Sequence, residues 1–112
     1  MKHNEGIELT TSSTNSIGDN IRIYLLKKHD QKIRLTDDGN TLNDLTMMGV
    51  DITSPVNSQL LQAILQQYNV LADKDDVLYL DGHQEDCQTI KQTFIQALVD
   101  IDNLFYPQMF KH

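Results

Sequence analysis

The spacing of apolar residues changes along this chain, and that change constrains the fold more than any other feature. In the first third and again near residue 80, apolar and polar residues alternate, as in strands with one buried face. In the remaining stretches apolar residues recur every three or four positions, as in amphipathic helices. The chain therefore mixes the two kinds of element instead of repeating one of them.

The alternating segments predict five short strands. In chain order they cover residues 7–10, 21–25, 32–35, 70–71 and 77–80. About five polar residues separate the second and third strands, which is typical of an antiparallel pair joined by a turn. The segment 11–20 is rich in Ser, Thr and Asn and predicts a loop, and the segment 73–76 predicts a second tight turn.

A short first helix is predicted after the segment Thr36-Asp37-Asp38-Gly39, which breaks the strand pattern. Asp38 or Asn40 is expected to cap this helix, and Gly49 is expected to end it. Its apolar residues at helical spacing are Leu42, Leu45 and Met48.

Two longer helices are predicted further on. Ser54-Pro55 is a strong helix start, and Asn69 is expected to end that helix in a left-handed conformation. We expect one apolar stripe on it, formed by Val56, Leu60, Leu61, Ile64, Leu65 and Tyr68. The last helix begins near Glu85 and ends at Pro107. The resulting order is β-β-β-α-α-β-β-α, an α+β domain with an antiparallel sheet and helices on one face.

Length and composition predict a single domain over residues 1–112, with residues 1–6 and 108–112 as frayed tails. There is one cysteine, Cys87, so no intramolecular disulfide forms, which fits a reducing cytoplasm. No apolar run approaches the roughly 20 residues that span a bilayer. We therefore expect a soluble, cytoplasmic protein that does not enter a membrane.

Charge is distributed very unevenly. Residues 1–34 have six Lys or Arg and four Asp or Glu, whereas residues 35–90 have ten Asp or Glu and one lysine, Lys74. The net charge is −7 and the sequence pI is about 4.7. This balance argues against the usual nucleic-acid or anionic-membrane surface, and it favours a partner with a basic surface.

Six aspartates in two groups are the leading candidates for binding such a partner. If both groups share one face, they present several negative charges that imitate spaced phosphates. These residues are Asp37, Asp38, Asp44, Asp73, Asp75 and Asp76. The alternatives are a turn with a helix N-terminus and a solvated hairpin tip.

A basic cluster gives a second hypothesis, nucleic-acid binding through one face of the sheet. It has one interleaved aromatic residue, Tyr24, and no nucleic-acid-binding motif, and its simpler interpretation is an exposed face with solubilising charges. Its members are Arg22, Lys27, Lys28, Lys32 and Arg34.

Catalysis and metal binding are weaker hypotheses. Asp37 and Asp38 could bind a divalent cation in a small metal-dependent enzyme, but the calcium-loop spacing is absent. A zinc site at His83 with Glu85, Asp86 and Cys87 lacks the usual three or four His or Cys ligands. Because the common catalytic and phosphate-binding motifs are also missing, we predict a protein that is not an enzyme, with no metal and no cofactor.

Several segments together resemble the bacterial and prophage family called "domain of unknown function 1828". The resemblance covers roughly residues 7–107, and its most specific part is the run from Leu35 to Leu42, which contains Thr36-Asp37-Asp38-Gly39. The other matching segments are 44–45, 49–51, 54–55, 95–98 and 102–106, and residues 7–11 with 21–24 look similar to the family's opening strand pair. Val56-Asn57 follow Ser54-Pro55 where the family commonly has a basic residue.

The resemblance implies a compact α+β domain that is often encoded near mobile elements, and it transfers no catalytic residues. Given that setting, we expect a non-enzymatic inhibitor. It would cover the basic nucleic-acid groove of a host defence nuclease, of the CRISPR or restriction type. The apolar end of the last helix, from Leu104 to Phe110, indicates either closure of the core or a homodimer contact.

Overall fold

The computed structural model describes residues 6–9, 11, 13–14 and 20–109. The strands are β1 (Ile7–Leu9), β2 (Ile23–Lys27), β3 (Lys32–Thr36), β4 (Leu71–Ala72) and β5 (Leu78–His83). The helices are α1 (Asn40–Met47), α2 (Pro55–Tyr68) and α3 (Cys87–Phe105). The predicted α+β class and the order β-β-β-α-α-β-β-α are confirmed. Thr10, the last residue of the first predicted strand, lies outside the described residues.

The five strands form one antiparallel sheet in the order β1-β2-β3-β5-β4. In the central strand, Leu35 lies opposite Leu25 of β2 and Leu80 of β5. Because residues paired across an antiparallel ladder share a face, these leucines line one side of the sheet. That side is the one that helix α3 covers, since Leu35 belongs to the main core cluster.

Helix α3 lies across the sheet and supplies much of the core. Phe94, Ile101 and Phe105 are completely buried against strand residues of the inner face. Helix α3 comes close to β5 at Gly82, where an added methyl group would lie only 2.1 Å from Cδ1 of Ile90, so a larger residue would force the Ile90 side chain to move. Strand β5 continues through Gly82 to His83, beyond residue 80, where the sequence predicted its end.

The predicted signals at the helix ends are confirmed for α2 and for the end of α1. The Ser54 hydroxyl accepts a hydrogen bond from the Asn57 N–H at 3.2 Å, and Asn69 has a left-handed φ of 59°. Gly49 has φ 95° after α1, and the next N–H, of Val50, donates to the Leu45 carbonyl at 3.0 Å. These bonds satisfy backbone groups that the helix leaves without partners.

Two expectations about packing are wrong. Val56 and Leu60 are 67% and 38% exposed, so they do not belong to the buried stripe of α2 formed by Leu61 and Leu65. Their positions on the helix lie beside that stripe, because 56 and 60 are offset from 57, 61 and 65 by one residue. At the C-terminus, Met109 is 7% exposed and Gln108 is hydrogen bonded, so these two residues are not a frayed tail. Residues 1–5 and 110–112 lie outside the described residues.

Helices α2 and α3 are joined by polar contacts as well as by the core. The Tyr68 hydroxyl donates a hydrogen bond to the Asp100 carboxylate, which also accepts one from the Gln96 amide at 2.8 Å. The bond to Asp100 raises the pKa of Tyr68. Within the described part of the chain, no helix has the length and apolarity needed to cross a membrane.

Candidate functional site

The segment Thr36-Asp37-Asp38-Gly39 is built around the Asp37 carboxylate, which is completely buried. Its Oδ1 accepts hydrogen bonds from the backbone N–H groups of Gly39 at 2.8 Å and Leu78 at 3.0 Å. Its Oδ2 accepts one from the Thr41 N–H at 2.9 Å, in the first turn of α1. One side chain therefore shapes the turn, caps the helix and holds strand β5.

This role corrects two predictions from the sequence. Asp37 has no exposed surface, so it cannot face a partner or a dissolved cation as we expected. It also provides a helix cap, which was expected from Asp38 or Asn40, because its Oδ2 accepts the Thr41 N–H in the first turn of α1. Burial raises the pKa of Asp37, while the three backbone N–H groups act in the opposite direction.

The same residue brings two acidic turns together at one end of the sheet. The Asp37 N–H donates to the Leu78 carbonyl at 3.2 Å, so β5 begins beside the turn that precedes α1. A Cβ atom at Gly39 would lie 3.4 Å from Cγ2 of Val77, so the two turns are in contact. We call this region the acidic end, and its aspartates are Asp38, Asp73, Asp75 and Asp76.

The conformation of both turns depends on aspartate. Asp73 Oδ1 accepts hydrogen bonds from the N–H groups of Asp75 at 2.8 Å and Val77 at 3.0 Å, which closes the β4–β5 turn. Asp38 and Asp76 have φ values of 59° and 62°, a left-handed region that Asp and Asn tolerate better than most residues. Asp73, Asp75 and Asp76 are exposed and Asp38 is half-buried. The acidic end also contains one lysine, Lys74.

Asp44, the sixth predicted aspartate, lies in a different environment. With Asp102 of α3 and Arg22 it lines an open cavity of about 630 Å³ between α1, α3 and residues 20–22. Asp102 is 8% exposed, and Leu45, Met48 and Leu98 form the apolar part of the wall. Asp102 was not predicted as a site residue, because in the sequence it is one polar position on an otherwise apolar helix face.

The predicted basic cluster is divided by the sheet. Arg34 donates two hydrogen bonds to Asp81 of β5, at 2.7 and 3.0 Å, and its guanidinium lies 4.0 Å from the ring centre of Tyr79. Hydrogen bonding to Asp81 raises the pKa of Arg34. The Arg34 side chain is therefore held on the sheet by two residues of the neighbouring strand. These partners are more than 40 residues away in the sequence, so no local pattern indicated them.

The three lysines of the cluster lie at the hairpin that joins β2 and β3. Lys28 and Lys32 are exposed, and the Lys28 N–H donates to the Lys32 carbonyl at 2.7 Å. Lys27 is paired with Ile33 and so belongs to the opposite face from Arg34. Arg22 lines the cavity beside Asp44. The structure therefore keeps Lys28 and Lys32 together at the hairpin and apart from Arg22. Lys32 shares a face of β3 with Arg34, whose guanidinium is bonded to Asp81.

His83 ends β5, followed by a 3₁₀ turn formed by Gln84–Asp86 and then Cys87, the first residue of α3. Across residues 6–9, 11, 13–14 and 20–109, no group of three or more His, Cys, Asp or Glu side chains is placed to hold a metal ion. Residues 83–87 form the end of a strand, a short turn and the start of a helix.

The fold and the buried aspartate define a small single-sheet α+β domain with an acidic turn pair, and a family model matches over residues 11–101. The chain belongs to that family, which is described as "Domain of unknown function DUF1828". No curated protein matches the chain. No solved structure matches it either.

Proposed function

We propose that the protein is a non-enzymatic binding protein that attaches to a basic surface of another protein through its acidic end. The observation that supports this proposal is the contact between the two turns, in which Asp37 is bonded to both the N–H and the carbonyl of Leu78. That contact gathers four aspartates and a single lysine, Lys74, into one region.

The geometry suits recognition of spaced cations. Asp75 and Asp76 are exposed on a tight turn, and Asp38 lies on the adjoining turn. Their turns are fixed by internal hydrogen bonds, so little conformational freedom is lost when a partner binds. Negative charges on a rigid frame match the positive charges that a nucleic-acid-binding groove presents to phosphates.

The partner class that we propose is a host defence nuclease with a basic nucleic-acid groove, of the CRISPR or restriction type. Such a groove is complementary in charge to the acidic end, and binding there would exclude nucleic acid by occupying the same surface. Charge pairing of this kind speeds association and weakens as ionic strength rises.

The test compares three tagged proteins: the wild type, a variant of the acidic end, and a control with equal charge. The variant Asp38→Asn/Asp75→Asn/Asp76→Asn removes three charges and keeps residues that tolerate a left-handed φ. The control Asp30→Asn/Glu85→Gln/Asp86→Asn removes three charges at exposed positions near the opposite end of the sheet. Each protein is used to capture partners from a bacterial lysate at about 0.1 M and about 0.5 M salt.

We expect the wild type and the control to retain the same basic protein at low salt and to release it at high salt. The variant of the acidic end should bind the purified partner about tenfold or more weakly, mainly through slower association. Equal retention by the wild type and the acidic-end variant would contradict the proposal. A partner that is acidic, or one held equally at both salt concentrations, would contradict it as well.

A further inference from the structure

Helix α2 lies in a stretch that contains no charged side chain. From residue 52 to residue 72 there is no Asp, Glu, Lys, Arg or His, and Asp51 and Asp73 bound the stretch on either side. Exposed faces of helices normally have charged residues, because these keep the surface soluble and separate. The exposed face of α2 is therefore unusual for a chain with a net charge of −7.

A stripe of three apolar residues and one glutamine runs along that exposed face. Val56 and Leu60 are 67% and 38% exposed, and Ala63 and Gln67 follow at exposed positions. The spacing of these four residues is four, three and four, which is the spacing of a coiled-coil seam. The core stripe of Leu61 and Leu65 lies on another side of the helix, so this second stripe is not used by the described fold.

The stripe is complementary to itself. If two copies of α2 pair antiparallel about a two-fold axis at its centre, Leu60 of each copy lies opposite Ala63 of the other. A large side chain then meets a small one on both sides of the axis, which is how helix surfaces interlock. Val56 at one end lies opposite Gln67 at the other.

Charge indicates that the occupant is a second copy of this chain. A basic partner finds no carboxylate on α2 with which to pair, whereas two copies of an anionic protein repel each other least where neither has charge. For the end of the last helix the sequence left open closure of the core or a homodimer contact, and Phe105 and Met109 there are buried in the core of the same chain.

We propose that two copies of the protein associate through the stripe Val56, Leu60, Ala63 and Gln67 of α2. This contact is independent of the acidic end and of the function proposed for it. One pair of short helices buries less area than a standard interface, so dimers should form at protein concentrations of about 0.1–1 mM.

Sedimentation equilibrium of the full chain tests the proposal. The average mass should rise from 12.8 kDa toward twice that value with increasing concentration. Raising the salt concentration from about 0.05 M to about 0.5 M should strengthen the dimer, because it screens repulsion between like-charged copies. Capture of a basic partner by the acidic end has the opposite salt dependence, so the two contacts are distinguishable.

Leu60→Glu and Ala63→Glu should each weaken the dimer about tenfold or more, because each buries a carboxylate at the centre of the contact. Gln62→Glu adds the same charge to the same helix off the stripe, and it should change the dissociation constant less than about threefold. Circular dichroism confirms that each variant is folded. The proposal is overturned if the wild-type protein stays monomeric at all protein concentrations up to about 1 mM. It is also overturned by a dimer that Leu60→Glu and Ala63→Glu do not affect, or by one that salt weakens.

Discussion

At the scale of single residues, Asp37 shows how a charged group becomes part of a core. Its carboxylate is completely buried, yet three backbone N–H groups point at it from a turn, a helix and a strand. Buried polar groups are stable when their hydrogen bonds are complete, and each missing bond is costly. The residue therefore acts as a structural link between elements that are distant in the sequence.

Removing this carboxylate should strongly destabilise the fold. Asp37→Ala leaves three buried N–H groups without acceptors, so we expect the free energy of unfolding to fall by about 3 kcal/mol or more. Asp37→Asn keeps one oxygen acceptor and places an amide donor near the others, so its loss should be smaller. Urea unfolding measures both. The exposed Asp75→Ala serves as a control and should change stability by less than about 0.5 kcal/mol. Equal losses for Asp37→Ala and Asp75→Ala would contradict the structural role.

The raised pKa of Asp37 determines whether its contribution to stability rises or falls with pH. Between about 3.9, the ordinary value, and the raised pKa, the folded protein binds more protons than the unfolded chain. The stability that Asp37 contributes is therefore greatest below this window and declines as pH rises through it. The difference in unfolding free energy between wild type and Asp37→Asn should follow this course in urea titrations from pH 3 to pH 8. A difference that grows with pH would mean that the three N–H groups outweigh burial.

At the scale of elements, the start of α2 is tied to the C-terminal end of the chain. The Asn57 amide donates to the Asp51 carbonyl at 2.9 Å and to Gln108 Oε1 at 2.8 Å, and the Gln108 amide donates back to Asn57 Oδ1 at 2.9 Å. Asn57 is 6% exposed, so this amide pair is shielded from water. It fixes the 3₁₀ turn formed by Tyr106–Gln108 against α2.

A double-mutant cycle measures that contact. Asn57→Ala should lower the free energy of unfolding by about 1–3 kcal/mol, because it also leaves the Asp51 carbonyl without this donor. Gln108→Ala should cost less, and the double variant should fall short of the sum by about 1 kcal/mol. Asn57→Ala combined with Gln96→Ala, whose amide bonds Asp100 instead, should be additive within about 0.5 kcal/mol. Additivity of the Asn57 and Gln108 effects would contradict the coupling.

Most of the elements were predictable because their signals are local. Ser54-Pro55, Asn69 and Gly49 mark helix ends through backbone preferences that depend on adjacent residues alone. The stripe on α2 was predicted too wide, because Val56 and Leu60 are apolar and only the packing of the other elements shows that they stay exposed. The burial of Asp37 could not be predicted, since its bond to Leu78 joins positions 41 residues apart.

At the scale of the whole molecule, the sheet holds the exposed lysines of one hairpin apart from the acidic end. β3 runs from the exposed hairpin with Lys28 and Lys32 to the acidic end, a distance of about 17 Å for a five-residue strand. The antiparallel register places Lys28 and Lys32 at one end of the sheet and the four aspartates of the acidic end at the other, whereas Asp30, Glu85 and Asp86 lie near the two lysines. The cavity beside Asp44 also depends on how α1 and α3 pack, so no local pattern indicated it.

The aspartates of the acidic end repel one another, which lowers the stability of the folded protein, so neutralising them should raise its stability. We expect Asp38→Asn/Asp75→Asn/Asp76→Asn to raise the melting temperature by roughly 2–4 °C at low salt. The gain should shrink as salt screens the repulsion, whereas the control Asp30→Asn/Glu85→Gln/Asp86→Asn should gain less. Thermal unfolding at about 0.02 M and about 0.5 M salt measures both. A lower melting temperature for the acidic-end variant would show that these carboxylates stabilise the turns more than they repel one another.

The bond between Asp37 and Leu78 makes the acidic end a discontinuous epitope. Its aspartates come from two segments that meet only after the sheet has formed, so neither segment presents the full surface when it is separate. Peptides that cover residues 35–48 or 70–80 alone are therefore poor competitors for any molecule that recognises the whole surface. A binder raised against it would discriminate native chains from unfolded ones, and its signal would report the fraction folded in a living cell.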